Sequence, residues 1–72
     1  MKYTLNKKQK ELYDFIASYI KDHGYAPTYR EIAAGTSVNN LSNVHRIVHD
    51  IERRGWLRMI PYESRTFTLV ED

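Results

Sequence analysis

The side chains best equipped for recognition lie in one short run, Ser42, Asn43, His45 and Arg46, with Asn40 just ahead of it. An Asn amide offers the donor and acceptor that match adenine, an Arg guanidinium forks onto guanine, and Ser and His donate or accept. A merely solvated helix face fills with Lys and Glu. Ser and Asn are poorer helix formers, so some other requirement is expected to have chosen them. His45 and His49 stand four residues apart, the spacing of a helical zinc site, but Arg46 occupies the position where a metalloprotease carries Glu. Asp50 and Glu52 do not complete a third ligand, so no metal and no cofactor is expected. The serines and carboxylates form no set of nucleophile, base and orienting group, and the chain is read as a non-enzyme.

These groups need a scaffold that points them outward. Leu41, Val44, Val48 and Ile51, widened by Ile47, give a helix behind Asn39-Asn40 one apolar stripe; Ser42, Asn43, His45, Arg46, His49 and Arg53 fall on its other face. Gly55 closes it, and Arg53 and Arg54 suit the negative end of its dipole. Ahead of it, Thr28-Tyr29-Arg30-Glu31 is a capping box opening a short helix, Tyr29 to Ala34, with Ile32 and Ala33 inward and Gly35-Thr36-Ser37 as a turn. The first helix is expected from Leu5 to Gly24, with Asn6 as cap and Leu12, Phe15, Ile16, Tyr19 and Ile20 at helical spacing. Pro27 requires an extended connector after it. The last part changes period: Trp56 to Ile60 and Thr66 to Val70 are strand-like, joined by Pro61 to Arg65 as an open hairpin. Trp56 is expected to pack at the hinge between the third helix and that hairpin.

The chain has 72 residues, 42% hydrophobic and 28% charged, enough for one small domain spanning 1–72 and too few for a second core or a deep substrate cleft. Without cysteine there is no disulfide or thiolate site, so stability rests on packing. No apolar run approaches the roughly 20 residues that cross a bilayer, the start lacks a secretory pattern, and a cytoplasmic domain with no membrane partner is expected. Eleven Lys and Arg against nine Asp and Glu give a net charge of only +2. Bulk electrostatics would therefore bind nucleic acid weakly. From Arg46 to Arg65, however, five Arg stand against three acids.

A short helix, a turn and a longer helix form a helix-turn-helix, and the major groove, about 12 Å wide, admits the second of those helices. The base-pairing groups sit in its N-terminal half, the end such motifs insert. Leu5, Gln9, Asp14, Ile16, Gly24, Pro27-Thr28, Glu31-Ile32-Ala33, Arg53, Gly55, Ser64-Arg65 and Leu69 resemble the amino-terminal DNA-binding domain of LexA, the repressor of the bacterial SOS response. The likeness runs from about Leu5 to Val70 and is most specific over Gly24 to Ala33. It implies a winged helix-turn-helix, mainly helical with a small β-hairpin, bound as two copies to a palindromic operator. The family's base-contacting positions fall on Asn40, Ser42, Asn43, His45 and Arg46. His45 and Arg46 stand where the family usually has two acids, which implies a shift from cytosine amino groups towards guanine acceptors. Leu41 replaces a proline, and the family glycine of the turn falls at Ser37. LexA proteins also carry a self-cleaving carboxy-terminal domain with a Ser–Lys dyad that supplies most dimerisation. These residues contain no counterpart, so the chain is read either as a cut-out domain or as a free-standing regulator of a phage or mobile element.

The resulting expectation is sequence-specific binding of double-stranded DNA by a transcriptional repressor or regulator, in a bacterial or phage-infected cell. Asn40, Ser42, Asn43, His45 and Arg46 read bases. Thr28, Arg30, Arg53, Arg54, Ser64 and Arg65 hold the backbone. Two copies are expected together on DNA, even if the free protein is a monomer. The alternative is a protein-interaction adaptor or antirepressor built on the same fold.

Overall fold

The computed structural model describes residues 3–59 and 67–70. Its elements follow in the order α1 (Lys7–His23), α2 (Tyr29–Gly35), α3 (Leu41–Arg53), β1 (Leu57–Met59) and β2 (Phe67–Leu69). The mainly helical class with a small hairpin is as expected.

Each helix begins where a side chain satisfies the orphan amides of its first turn. Asn6 Oδ1 accepts from the Gln9 amide at 2.9 Å, and Gln9 Oε1 accepts from the Asn6 amide at 3.0 Å. This box starts α1 at Lys7, two residues after the expected start. Leu5 lies ahead of the cap and packs against the core from outside the helix. Thr28 and Glu31 make the same reciprocal pair at 3.2 and 2.7 Å. Such caps are worth about 1 kcal/mol each. Gly24 ends α1 with φ 80°, its amide donating to Ile20 O at 2.8 Å.

The three helices close around Leu12 and Ile16 of α1, Ile32 of α2, and Val44, Val48 and Ile51 of α3, all fully buried. Each such side chain contributes about 1.5–3 kcal/mol of burial. Ala26, Val38, Ile47 and Leu57 complete the core, and Pro27 is buried beside it. Leu41 departs from the expected stripe: as the first residue of α3 it extends past the core's edge and is 45% exposed.

β1 and β2 pair antiparallel, with Leu57 opposite Leu69 and Met59 opposite Phe67. The hairpin connection, including Tyr62, Ser64 and Arg65, lies outside the described residues. Trp56 stands at the expected hinge and does more there. Its indole Nε1 donates to Tyr3 O at 2.6 Å, and its ring meets Tyr13 edge-on at 5.1 Å. The hinge thus anchors the segment ahead of α1 as well as the hairpin. Among the described residues, no helix is long and apolar enough to cross a membrane.

Gly35 was expected in a turn, but it is the last residue of α2, and α2 comes so close to α1 there that an ideal Cβ would overlap the Phe15 ring. Helix propensity alone gives Ala an advantage of up to about 1 kcal/mol over Gly. The overlap reverses that sign. Gly35→Ala should lower the urea midpoint by the equivalent of about 1–3 kcal/mol, and Phe15→Leu in the same chain should recover part of the loss. A raised midpoint would mean that the Phe15 ring swings clear at no cost.

Candidate nucleic-acid interface

The angle of α3 is set by the turn that precedes it. Thr36 caps α2 with its hydroxyl, which donates to Ile32 O at 2.8 Å and accepts from the Val38 amide at 3.3 Å. Val38 is thereby turned into the core. The next contact comes from α1: the Glu11 carboxylate accepts from the Ser37 amide at 2.8 Å and from its hydroxyl at 2.6 Å. Lys8 Nζ donates to the same hydroxyl oxygen at 2.7 Å. These bonds hold the Glu11 carboxyl below the usual carboxylate range, the Ser37 hydroxyl first and its amide second, against an opposing desolvation, with Lys8 and then Lys7 adding less.

With α3 so fixed, Asn40, Ser42, Asn43, His45 and Arg46 are all exposed, on the side away from Val44, Val48 and Ile51. Asn40 is also the helix cap: its Oδ1 accepts from the Asn43 amide at 3.1 Å, and its NH₂ remains available to donate. Arg46 Nη2 donates to Asn43 Oδ1 at 3.4 Å, which keeps the two candidate base readers side by side. His45 is held more firmly. Its ring meets Tyr29 of α2 edge-on at 5.1 Å, and its Nε2 lies 3.2 Å from His49 Nε2. His49, expected on the open face, is half-buried with Glu52 Oε1 3.9 Å from its Nδ1. Burial, and then Glu52, push the Tyr29 phenol above its ordinary range, so it stays a neutral hydroxyl.

Two open grooves flank the start of α3. One is lined by Thr28, Tyr29, Arg30, Leu41, Ser42 and His45, so Thr28 and Arg30 join two of the expected base readers. The other joins Lys8, Ser37 and Asn39 to Asn40, Asn43 and Arg46. Asn39 and Ser37 were not singled out from the sequence as contacts, though Asn39 directly precedes the expected cap. Nothing local marks Ser37, whose neighbours Lys8 and Glu11 lie 26 to 29 residues away. Arg53 is exposed at the other end of α3, 3.8 Å from Asp50. Arg54 is engaged within the fold: its Nη1 donates to Thr4 O at 2.8 Å and its own carbonyl accepts from the Tyr3 amide at 2.9 Å. Ser64 and Arg65 lie outside the described residues. Among the described residues, no group of three or more His, Cys, Asp or Glu comes together as a metal cluster.

A short helix, a side-chain-braced turn, a longer helix with a bare polar face and an antiparallel hairpin behind it make up a winged helix-turn-helix DNA-binding domain. The sequence profile of the LexA DNA binding domain matches residues 2–66, and the chain belongs to that family. It is 39% identical over 72 residues to the LexA repressor of Caldicellulosiruptor saccharolyticus, covering 100% of this chain and 36% of that relative. It is 38% identical over 66 residues to the LexA repressor of Clostridium kluyveri, covering 92% of this chain and 33% of that protein. The same identity and length relate it to LexA repressor 2 of Geobacter sulfurreducens, with 92% and 32% covered. The chain spans about a third of the length of the curated relatives it matches.

The Glu11 clamp has a pH signature. A carboxyl whose folded pKa is depressed stabilises the fold above its unfolded pKa, and that contribution is lost as pH falls through the folded value. Glu11→Gln retains an acceptor but no charge. Urea unfolding should therefore find Glu11→Gln less stable than the parent at neutral pH. The gap should close as the pH drops below the ordinary glutamate range, and a gap independent of pH would remove the charge from this account.

Proposed function

We propose that the chain, acting over 1–72 as one unit, is a sequence-specific reader of double-stranded DNA and represses transcription from its operator. The observation that carries this reading is the exposure of Ser42, Asn43, His45 and Arg46 on the face opposite the buried stripe of α3. The names of the relatives described above, LexA repressors, support the regulatory part. In this reading α3 enters the major groove by its N-terminal half. Arg46 pairs with guanine O6 and N7, Asn43 with adenine, and His45, Ser42 and the Asn40 amide contact neighbouring edges. His45 and Arg46, in place of the acids common in the family, favour acceptor-rich guanine over cytosine amino groups.

Thr28 and Arg30 face one strand's phosphates, and Lys8 with Asn39 is added on the other side of α3. Arg53, and Ser64 and Arg65 of the wing, complete the backbone set. Arg54 is reassigned to holding the segment ahead of α1. With a net charge of +2 one copy neutralises few phosphates, so affinity comes from two copies. The chain is a monomer when free and a homodimer on a palindromic operator, its half-sites about 10 bp apart or a multiple of that, in the cytoplasm.

Selection from a random duplex library tests specificity and symmetry together. A palindromic consensus is expected. A lone asymmetric half-site would remove the dimer, and recovery of no consensus would favour the protein-docking alternative. On the selected duplex, Arg46→Ala should relax preference at one base pair by about 1–3 kcal/mol. Arg30→Ala should weaken all duplexes alike and reduce the salt slope by about 1.

A further inference from the structure

We propose that His45 and His49 form a binding site for a borderline divalent transition-metal ion of the Zn²⁺, Ni²⁺ and Cu²⁺ class, and that its occupation displaces DNA from α3. The spacing in sequence is only the start of the case. The two Nε2 atoms are 3.2 Å apart. Two metal–nitrogen bonds of about 2.0–2.1 Å across that gap subtend about 100–105°, close to tetrahedral. The ring centroids, now 4.3 Å apart, need to open by less than about 1 Å to bring both lone pairs onto one point. Rotation of the exposed His45 ring supplies that movement.

Glu52 Oε1 lies 3.9 Å from His49 Nδ1, behind the ring, on the side where a ligating imidazole commonly has a carboxylate partner. Tyr29, edge-on to His45 at 5.1 Å, limits the orientations of the other ring. Among the described residues no third His, Cys, Asp or Glu joins the pair, so water fills the remaining positions and the site stays open to exchange. Imidazole nitrogen suits borderline ions and rejects Mg²⁺ and Ca²⁺, which take oxygen.

The consequence for DNA rests on the groove-reading role proposed above. His45 is exposed in the half of α3 that enters the groove, and a hydrated metal on its Nε2 fills space that a base edge would occupy. In the free state the two rings share a hydrogen bond, one Nε2–H donating to the other. That contact dissolves readily as His45 turns to a base, whereas a metal bound to both rings prevents the turn.

Calorimetric titration of the protein with NiCl₂, and with MgCl₂ as control, tests the site without DNA. Ni²⁺ should bind and Mg²⁺ should not. His49→Gln should weaken Ni²⁺ about 10-fold or more, and Glu52→Gln by a smaller factor. Circular dichroism confirms that both variants keep their helices. Equal Ni²⁺ binding by parent and His49→Gln, or equal binding of Mg²⁺, overturns the site. On a selected duplex, saturating Ni²⁺ should raise the Kd of the parent about 10-fold or more, reversibly with EDTA, and leave His49→Gln unchanged. Unchanged duplex affinity at metal saturation overturns the antagonism. Intact metal binding with no duplex binding at all would identify the groove-reading role as the part that failed.

Discussion

The one-sided burial of α3 is the constraint on which the rest depends. Val44, Val48 and Ile51 are fully buried, and Ile47 nearly so, against Leu12, Ile16 and Ile32. A helix turns 100° per residue, so once those positions are inward the intervening ones must point outward. Ser42, Asn43, His45 and Arg46 need no contact of their own to stay in solvent. Four apolar side chains at about 1.5–3 kcal/mol each outweigh any rearrangement that exposes them to bury amides and a guanidinium. The polar face is thus a consequence of the apolar one. Its chemistry is free to vary with the DNA sequence to be read, while the stripe behind it stays the same.

Burial sets the rotation of α3 about its axis but does not set how far the helix stands out from the body. That second coordinate comes from polar groups. Glu11 holds Ser37 by two bonds, Lys8 holds the same hydroxyl, and Thr36 ties the turn back to the end of α2. Gly35 lets α2 settle against the Phe15 ring just before the turn. Tyr19 OH donates to Glu31 Oε2 at 2.8 Å, so the carboxylate that caps α2 also fastens it to α1. In this way α1 supports both ends of α2 and the start of the turn. The first helix supplies none of the expected base readers, yet it determines where they stand.

This division explains which parts were readable from sequence. Caps and stripes are local: Asn6 with Gln9, Thr28 with Glu31, and Gly24 all act within four residues and were placed correctly. The exposure of Ser42, Asn43, His45 and Arg46 followed from the same periodicity. What escaped notice depends on separations that no window spans. Arg54 looks like a helix-end cation and instead donates to Thr4, 50 residues earlier. Gly35 looks like a turn residue until the position of Phe15 is known. Leu41 satisfies the stripe by number but sits one turn beyond the surface that could cover it. Family likeness carried the fold and the motif, whereas the side chains that fill the exposed face of α3 have to be read from this chain itself.

The residues proposed to read bases are also partly engaged with the fold they extend from, and this dual use has an energetic logic. Asn40 offers its oxygen to the helix amide and keeps its NH₂ for another partner. Asn43 accepts from Arg46 and still presents its own donors. The cap bond at 3.1 Å orients Asn40, and the longer Arg46 contact at 3.4 Å is weak yet narrows the rotamers that docking must otherwise freeze at about 0.5–1.5 kcal/mol per side chain. A small domain with a net charge of +2 has little electrostatic surplus to cover that cost. Restricting the reading side chains before binding is a way for it to recognise DNA without becoming strongly basic. His45 takes the restriction furthest, between Tyr29 and His49, and for that reason its position is also the one most open to a competing ligand.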